Sequence, residues 1–231
     1  MRTFLILAIV TSLSACSSVV DGAATGSANS AAAEDTFIEE NIPEVDAELA
    51  LLNSVVANEA SYAAMQEDVL GYYATAYDAI PETGSVAFTG QSEVTVSDGT
   101  VEMTMIGDAF LVADFSDGTV IGAIDDIEGW VGDVANVDNT FAATSEITIG
   151  GFSTVADTSP NSWSSTYVGL IDTPEGEVVM SGTLDGLFYG TRAEPDEDES
   201  AIKSLYGEDQ NGDFQLNGEM VDGTIAVAAH N

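Results

Sequence analysis

Met180-Ser181-Gly182-Thr183-Leu184-Asp185-Gly186-Leu187-Phe188-Tyr189 is the stretch on which the fold turns. Met180, Gly182, Leu184, Gly186 and Phe188 fall on one side of an extended chain, and Ser181, Thr183, Asp185 and Tyr189 on the other. Alternation at period two marks a strand with one buried and one wet face. Two of the five apolar-face positions are glycine. Glycine weakens a strand, so its place on that face points to a crowded interior, as in a small, strongly curved barrel.

The same alternation recurs on both sides. Val101, Met103 and Met105 alternate with Glu102 and Thr104, and Ala109, Leu111, Ala113 and Phe115 share a face. Phe214, Leu216, Gly218 and Met220 alternate with Gln215, Asn217 and Glu219, and Ile225, Val227 and Ala229 follow. Asp98-Gly99, Asp117-Gly118, Asn211-Gly212 and Asp222-Gly223 have the composition of tight turns. Residues 83–231 therefore predict a mainly β domain of about seven to nine strands. Eight antiparallel strands closing on themselves would leave no free edge. A two-sheet sandwich is the alternative. A membrane-spanning barrel fits less well, because the strands are short and their polar faces acidic where a lipid-facing band should be apolar.

Upstream the period changes. Val45, Leu49, Leu52 and Val56 recur at spacings of 4, 3 and 4, and Tyr62, Met65, Val69 and Tyr72 at 3, 4 and 3. Pro43, Glu44, Asp46 and Glu48 suit a first helical turn, and Gly71 and Pro81 would end the pattern. Residues 43–79 thus predict a helical segment, continuous or broken near Asn58. Its stripe would pack on the following domain or on a partner helix. Residues 16–42, rich in Ser, Ala and Gly over 17–33, have the composition of a flexible tether. The apolar run at 4–10, behind Arg2, is too short to cross a bilayer and suits a signal peptide over 1–15. Leu13-Ser14-Ala15-Cys16 resembles the lipobox of bacterial lipoproteins. The resemblance implies acylation of the Cys16 thiol, palmitate included, and cleavage before it. An ordinary secretory signal with an incidental cysteine is the alternative. Ser17, where Asp favours inner-membrane retention, implies the outer membrane.

Charge narrows the function. The 231 residues include 40 acidic and 3 basic ones, a net charge of −37. Phosphate backbones would be repelled, so nucleic acid is no expected partner, and anionic lipid is a poor one. The same charge predicts a monomer stabilised by salt. One Cys and one His exclude a disulfide framework, a Cys/His zinc site and a Cys–His dyad. With Lys203 the only lysine, nucleophilic catalysis lacks a base. No catalytic residue, cofactor or resident metal is therefore expected. Asp209, Asn211 and Asp213 have calcium-loop spacing, but Phe214 and Met220 stand where Gly and Glu are needed, so a solvated turn is expected. The acids at 194–199 suit a solvated loop. Tyr189 and Tyr206 are conceivable haem ligands but more natural packing residues, and His230 should be frayed. Trp130 and Trp163 would form a binding surface or plug a barrel end.

Gly182-Thr183-Leu184-Asp185-Gly186-Leu187-Phe188-Tyr189-Gly190, followed by Ala193-Glu194, resembles the Phe-Tyr-Gly strand in barrel domains of transferrin-binding protein B and related surface lipoproteins. Residues 105–122 resemble the first long hairpin of that barrel, and 214–223 its closing hairpin. The resemblance spans roughly 83–231. It implies an eight-stranded antiparallel barrel on an outer-membrane lipoprotein, in a family that binds host iron or haem proteins, haem, or complement regulators. The chain departs from the large receptors in having one barrel, no evident handle domain, and Asp196-Glu197-Asp198-Glu199 where many relatives have a Gly-Gly strand. The expected function is a lipid-anchored, non-catalytic module for a protein or small nutrient ligand. A structural envelope protein with a filled barrel is the alternative, and a carboxylate hydrolase a third.

Overall fold

The alternating stretches become antiparallel strands in the computed structural model, which describes residues 30–75, 80–132, 134, 136–156, 161–190 and 202–231. These are β1 (Ser85–Ser97), β2 (Glu102–Asp114), β3 (Thr119–Val131), β4 (Thr140–Ala142), β5 (Glu146–Ala156), β6 (Ser162–Thr173), β7 (Gly176–Tyr189), β8 (Ser204–Asp209), β9 (Asp213–Leu216) and β10 (Glu219–His230). Each pairs antiparallel with its neighbours, and β1 pairs with β10 from Thr89–His230 to Ser97–Asp222. That last pairing closes the sheet. β4 and β5 share one edge of β3, and β8 and β9 share the place between β7 and β10. The fold is thus a closed barrel of eight strand positions, two of them interrupted. The signal at 1–15, Cys16, residues 17–29 of the tether and the acids at 194–199 lie outside the described residues.

The inward faces match the alternation. Met103, Met105, Ala109, Leu111 and Ala113 of β2, and Val178, Met180, Leu184 and Phe188 of β7, are buried in one core with Phe88, Trp163, Tyr167 and Phe214. Fully burying one such side chain contributes about 1.5–3 kcal/mol. The glycines make room for rings. A Cβ on Gly186 would stand 2.6 Å from Nε1 and Cε2 of Trp163, and one on Gly207 2.6 Å from its Cη2.

Two of the four expected turns form. Asp98-Gly99 and Asp117-Gly118 close the β1–β2 and β2–β3 hairpins, with Gly99 at φ 85° and Gly118 at φ 65°. Asn211-Gly212 instead marks the break between β8 and β9, and Asp222-Gly223 lies inside β10. Gly223 is small because Phe214 leans on it; a Cβ there would come within 2.6 Å of that ring. The β9–β10 turn falls at Asn217-Gly218, both left-handed at φ 53° and 81°, as a type I′ hairpin requires.

The chain divides into two units, Met1–Ile42 and Pro43–Asn231, and the second carries the barrel. The helix α1 spans Ser30–Leu70, where the spacing predicts 43–79. It takes in residues 30–42, whose Ala31, Ala32 and Ala33 are strong helix formers. It does not break at Asn58 and stops at Gly71, whose N–H is shared by the carbonyls of Glu67 and Asp68. Thr75 then pairs with Phe188 through its N–H, so the chain leaves the helix as an extended segment. No helix among the described residues is long and apolar enough to cross a membrane.

Within the second unit, α1 packs across the outside of the barrel. Val55, Tyr62 and Val69 are buried against Ile106 of β2, Trp130 of β3, Tyr189 of β7 and Ala228 of β10. Leu49 and Val56, expected on the buried face, are exposed. A curved wall touches a helix along a narrow seam, here once every seven residues. The stripe's partner is the chain's own barrel.

Candidate functional site

Trp130, Trp163, Tyr189 and Asp209, singled out by sequence, are buried. Trp163 fills the lumen and Trp130 lies beneath α1, so neither forms an exposed binding surface. Asp209 is buried where β8 breaks. Its Oδ2 accepts the Tyr167 hydroxyl at 3.1 Å and the Thr183 N–H at 3.0 Å, and its Oδ1 accepts the Asn211 N–H at 2.8 Å. Burial, then the Asp209 charge, pushes the Tyr167 hydroxyl pKa far up. Asp209 thus bolts β8 to β6 and β7. Among the described residues no three His, Cys, Asp or Glu side chains gather as a metal site.

The tyrosines serve the seam under α1. Tyr206 donates to Glu208 Oε2 at 2.9 Å and accepts from Gln66 Nε2 at 3.2 Å. Its pKa is pushed up to about 12, first by burial and then by the bond to Glu208. Tyr189 is raised by burial and then by Glu208. Both rings pack in the seam between the helix and the barrel wall. His230 is not frayed: β10 holds it opposite Thr89 and Ser204, and its Nε2 lies 3.2 Å from Asp68 Oδ2. Asn58 Nδ2 donates to Glu128 Oε2 at 3.0 Å. Glu93 lies under the helix with its pKa raised, first by burial and then by Glu59.

What stays open lies on the outside. A cleft of about 540 Å³ at one end of the barrel runs between the Asp98-Gly99 turn, the Gln210–Gly212 break and exposed Met220. Its Asp98 carboxylate accepts the N–H groups of Val101 and Thr100, both at 2.8 Å, which hold its pKa below the ordinary value. A second groove of about 450 Å³ runs between α1 and the wall. Ser61 and Met65 line it from the helix, and Gln91, Asp108, Phe110 and Asp125 from β1, β2 and β3.

Beyond that groove the wall is apolar. Phe110 (51% exposed), Ile121 (51%), Val168 (60%) and Leu170 (48%) stand on outward positions of β2, β3 and β6. Phe110 pairs with Ala123, Ala123 with Thr148 and Thr148 with Val168, so Phe110 and Val168 share one cross-strand row. Sequence reasoning passed over these four. The signal was there, in large apolar residues occupying the polar phase of an alternation.

No protein-family model, curated protein or solved structure matches the chain. The functional argument therefore rests on the residues and their placement.

Proposed function

We propose that the chain is an outer-membrane lipoprotein, anchored through Cys16 behind a cleaved signal, whose transferrin-binding protein B-like barrel is a non-catalytic binding module. The observation that carries the binding role is the pairing of a packed lumen with an apolar outer row. Trp163, Tyr167, Phe188 and Phe214 occupy the interior, so a partner would meet the outer wall at Phe110, Ile121, Val168 and Leu170. An exposed apolar patch on a chain of net charge −37 suits a protein with an apolar centre and a Lys/Arg rim. A second copy would be repelled by the same charge. The lipobox-like Leu13-Ser14-Ala15-Cys16, with the chain's sole cysteine at its end, supports the anchor.

Cys16→Ser should move the protein from membranes to the soluble fraction, and the wild-type mass should carry acyl chains; a variant that stays membrane-bound overturns the anchor. A photo-crosslinker at position 168 should capture a basic protein, and Ile121→Asp should abolish the capture. Equal capture from position 117, on the β2–β3 turn, overturns the docking surface. The packed lumen also suits a structural envelope role. That role is favoured if protease reaches the domain only after the outer membrane is opened.

A further inference from the structure

The groove between α1 and the wall holds an arrangement that stability alone does not explain. Gln91 of β1 pairs with Asp108 of β2, and Asp108 with Asp125 of β3, so an amide and two carboxylates stand in one cross-strand row. Like charges directly opposite each other on adjacent strands are destabilising. Neither carboxylate has a hydrogen-bond or ion-pair partner among the described residues. Lys203, the only Lys or Arg among those residues, does not line the groove. The register slips between Ile106 and Asp108, and Asp126 takes a left-handed φ of 48°. This bulge leaves Asp125 opposite Asp108; bulges of this kind recur beside functional sites, where they re-aim side chains.

Gln91 supplies an independent sign. Its side chain is only 8% exposed, it lines the groove, and its Oε1 is buried with no hydrogen-bond partner. An unsatisfied buried acceptor costs about 1–3 kcal/mol, and a turn of the amide would present Oε1 to a donor entering the groove.

We propose that this groove binds an ammonium group carried on an alkyl stem. Asp108 and Asp125 supply the countercharge and Gln91 Oε1 a third acceptor. Phe110 and Met65, which line the same groove, flank the stem. The composition favours an organic cation over a metal. Calcium takes six to eight oxygens, whereas here the two carboxylates, the Gln91 amide and the Ser61 and Thr89 hydroxyls share the lining with a ring, a thioether and Ala109. The volume of about 450 Å³ suits a small ligand. The ammonium could belong to a free amine or to a lysine side chain of a protein. The site does not depend on the lipid anchor, and its test needs no membrane.

The test is a titration of isotopically labelled full-length protein, followed by NMR at constant ionic strength. The probes are n-pentylamine, Nα-acetyl-lysine N-methylamide and, as neutral control, 1-hexanol. Saturable shifts are expected at the Gln91 side-chain amide and at Asp108 and Asp125 with both amines. Asp108→Asn and Asp125→Asn should each weaken binding by about tenfold. Asp117→Asn, on the exposed β2–β3 turn, should leave it unchanged. Both groove variants keep side-chain size at exposed positions, and the unshifted remainder of each spectrum reports the fold. Stronger binding of the lysine derivative would identify a protein lysine as the source; stronger binding of pentylamine would identify a free amine. Shifts spread evenly over the acidic surface, equal weakening by Asp117→Asn, or equal binding of hexanol would overturn the proposal.

Discussion

The inside of the barrel and the wall beneath α1 both bury aromatic and aliphatic side chains, but they treat charge differently. Inside, Asp209 accepts three donors, from Tyr167, Thr183 and Asn211, at 2.8–3.1 Å. Beneath the helix, Glu93 is partly buried beside Glu59 and kept reluctant to ionise. The lumen is also shaped ring by ring, with Gly186 and Gly207 cut to fit Trp163. The seam rests on Val55, Tyr62 and Val69, with Leu51 and Met65 only partly covered. The contrast teaches that the barrel holds the stability, while the helix is fastened by a thinner, charge-loaded contact that can open while the barrel stays closed.

The largest effect should come from emptying the lumen. Trp163→Ala should cost about 3–5 kcal/mol, read by denaturant unfolding, because the cavity stands among closed strands that cannot collapse into it. Asp209→Ala should cost about 2–3 kcal/mol by the same measurement, since it leaves the Thr183 N–H and the Tyr167 hydroxyl without their acceptor. Tyr62→Ala should act outside. Amide exchange over residues 47–70 should quicken by roughly tenfold while β2 and β7 keep their protection. If those strands loosen in step with the helix, the two regions are one cooperative unit and the contrast fails.

Glu93→Gln should give the smallest effect and the opposite sign, a gain of up to about 1 kcal/mol in thermal or chemical unfolding near neutral pH. The folded state holds the Glu93 proton more tightly than the unfolded chain does. Its ionisation therefore costs stability above the folded pKa, and that cost fades as pH falls through that value. Between about pH 7 and about pH 5 the wild type should gain more Tm than Glu93→Gln. Parallel curves for the two proteins would assign the acid response to the rest of the surface, including Glu59.

The strands are legible in the sequence where one face is apolar without exception, as from Met103 to Ala113 and from Val178 to Phe188. Turns are less so, because Asp222-Gly223 and Asn217-Gly218 carry the same local chemistry. Phe214, packed on Gly223, belongs to the neighbouring strand and decides between them. The helix is legible as a helix, but its buried seam is set by the curvature of the wall, which spacing does not encode. Asp209 shows the limit more sharply. Its neighbours in sequence suggest a cation loop, while the partner that accounts for it, Tyr167, is 42 residues away. The amide and carboxylates of the groove come from three strands, and only the register brings Gln91, Asp108 and Asp125 into one row.

The β1–β10 pairing has a kinetic consequence. Thr89 and His230 face each other across a ladder whose two strands are separated by most of the barrel's sequence. Contacts so distant along the chain form slowly, because loop-closure entropy must be met before any of them rewards it. Until they form, β1 and β10 are two unprotected edges, each able to template a strand from another molecule. A chain carrying −37 repels its copies throughout that interval. The acidity thus also guards the barrel while it is still open.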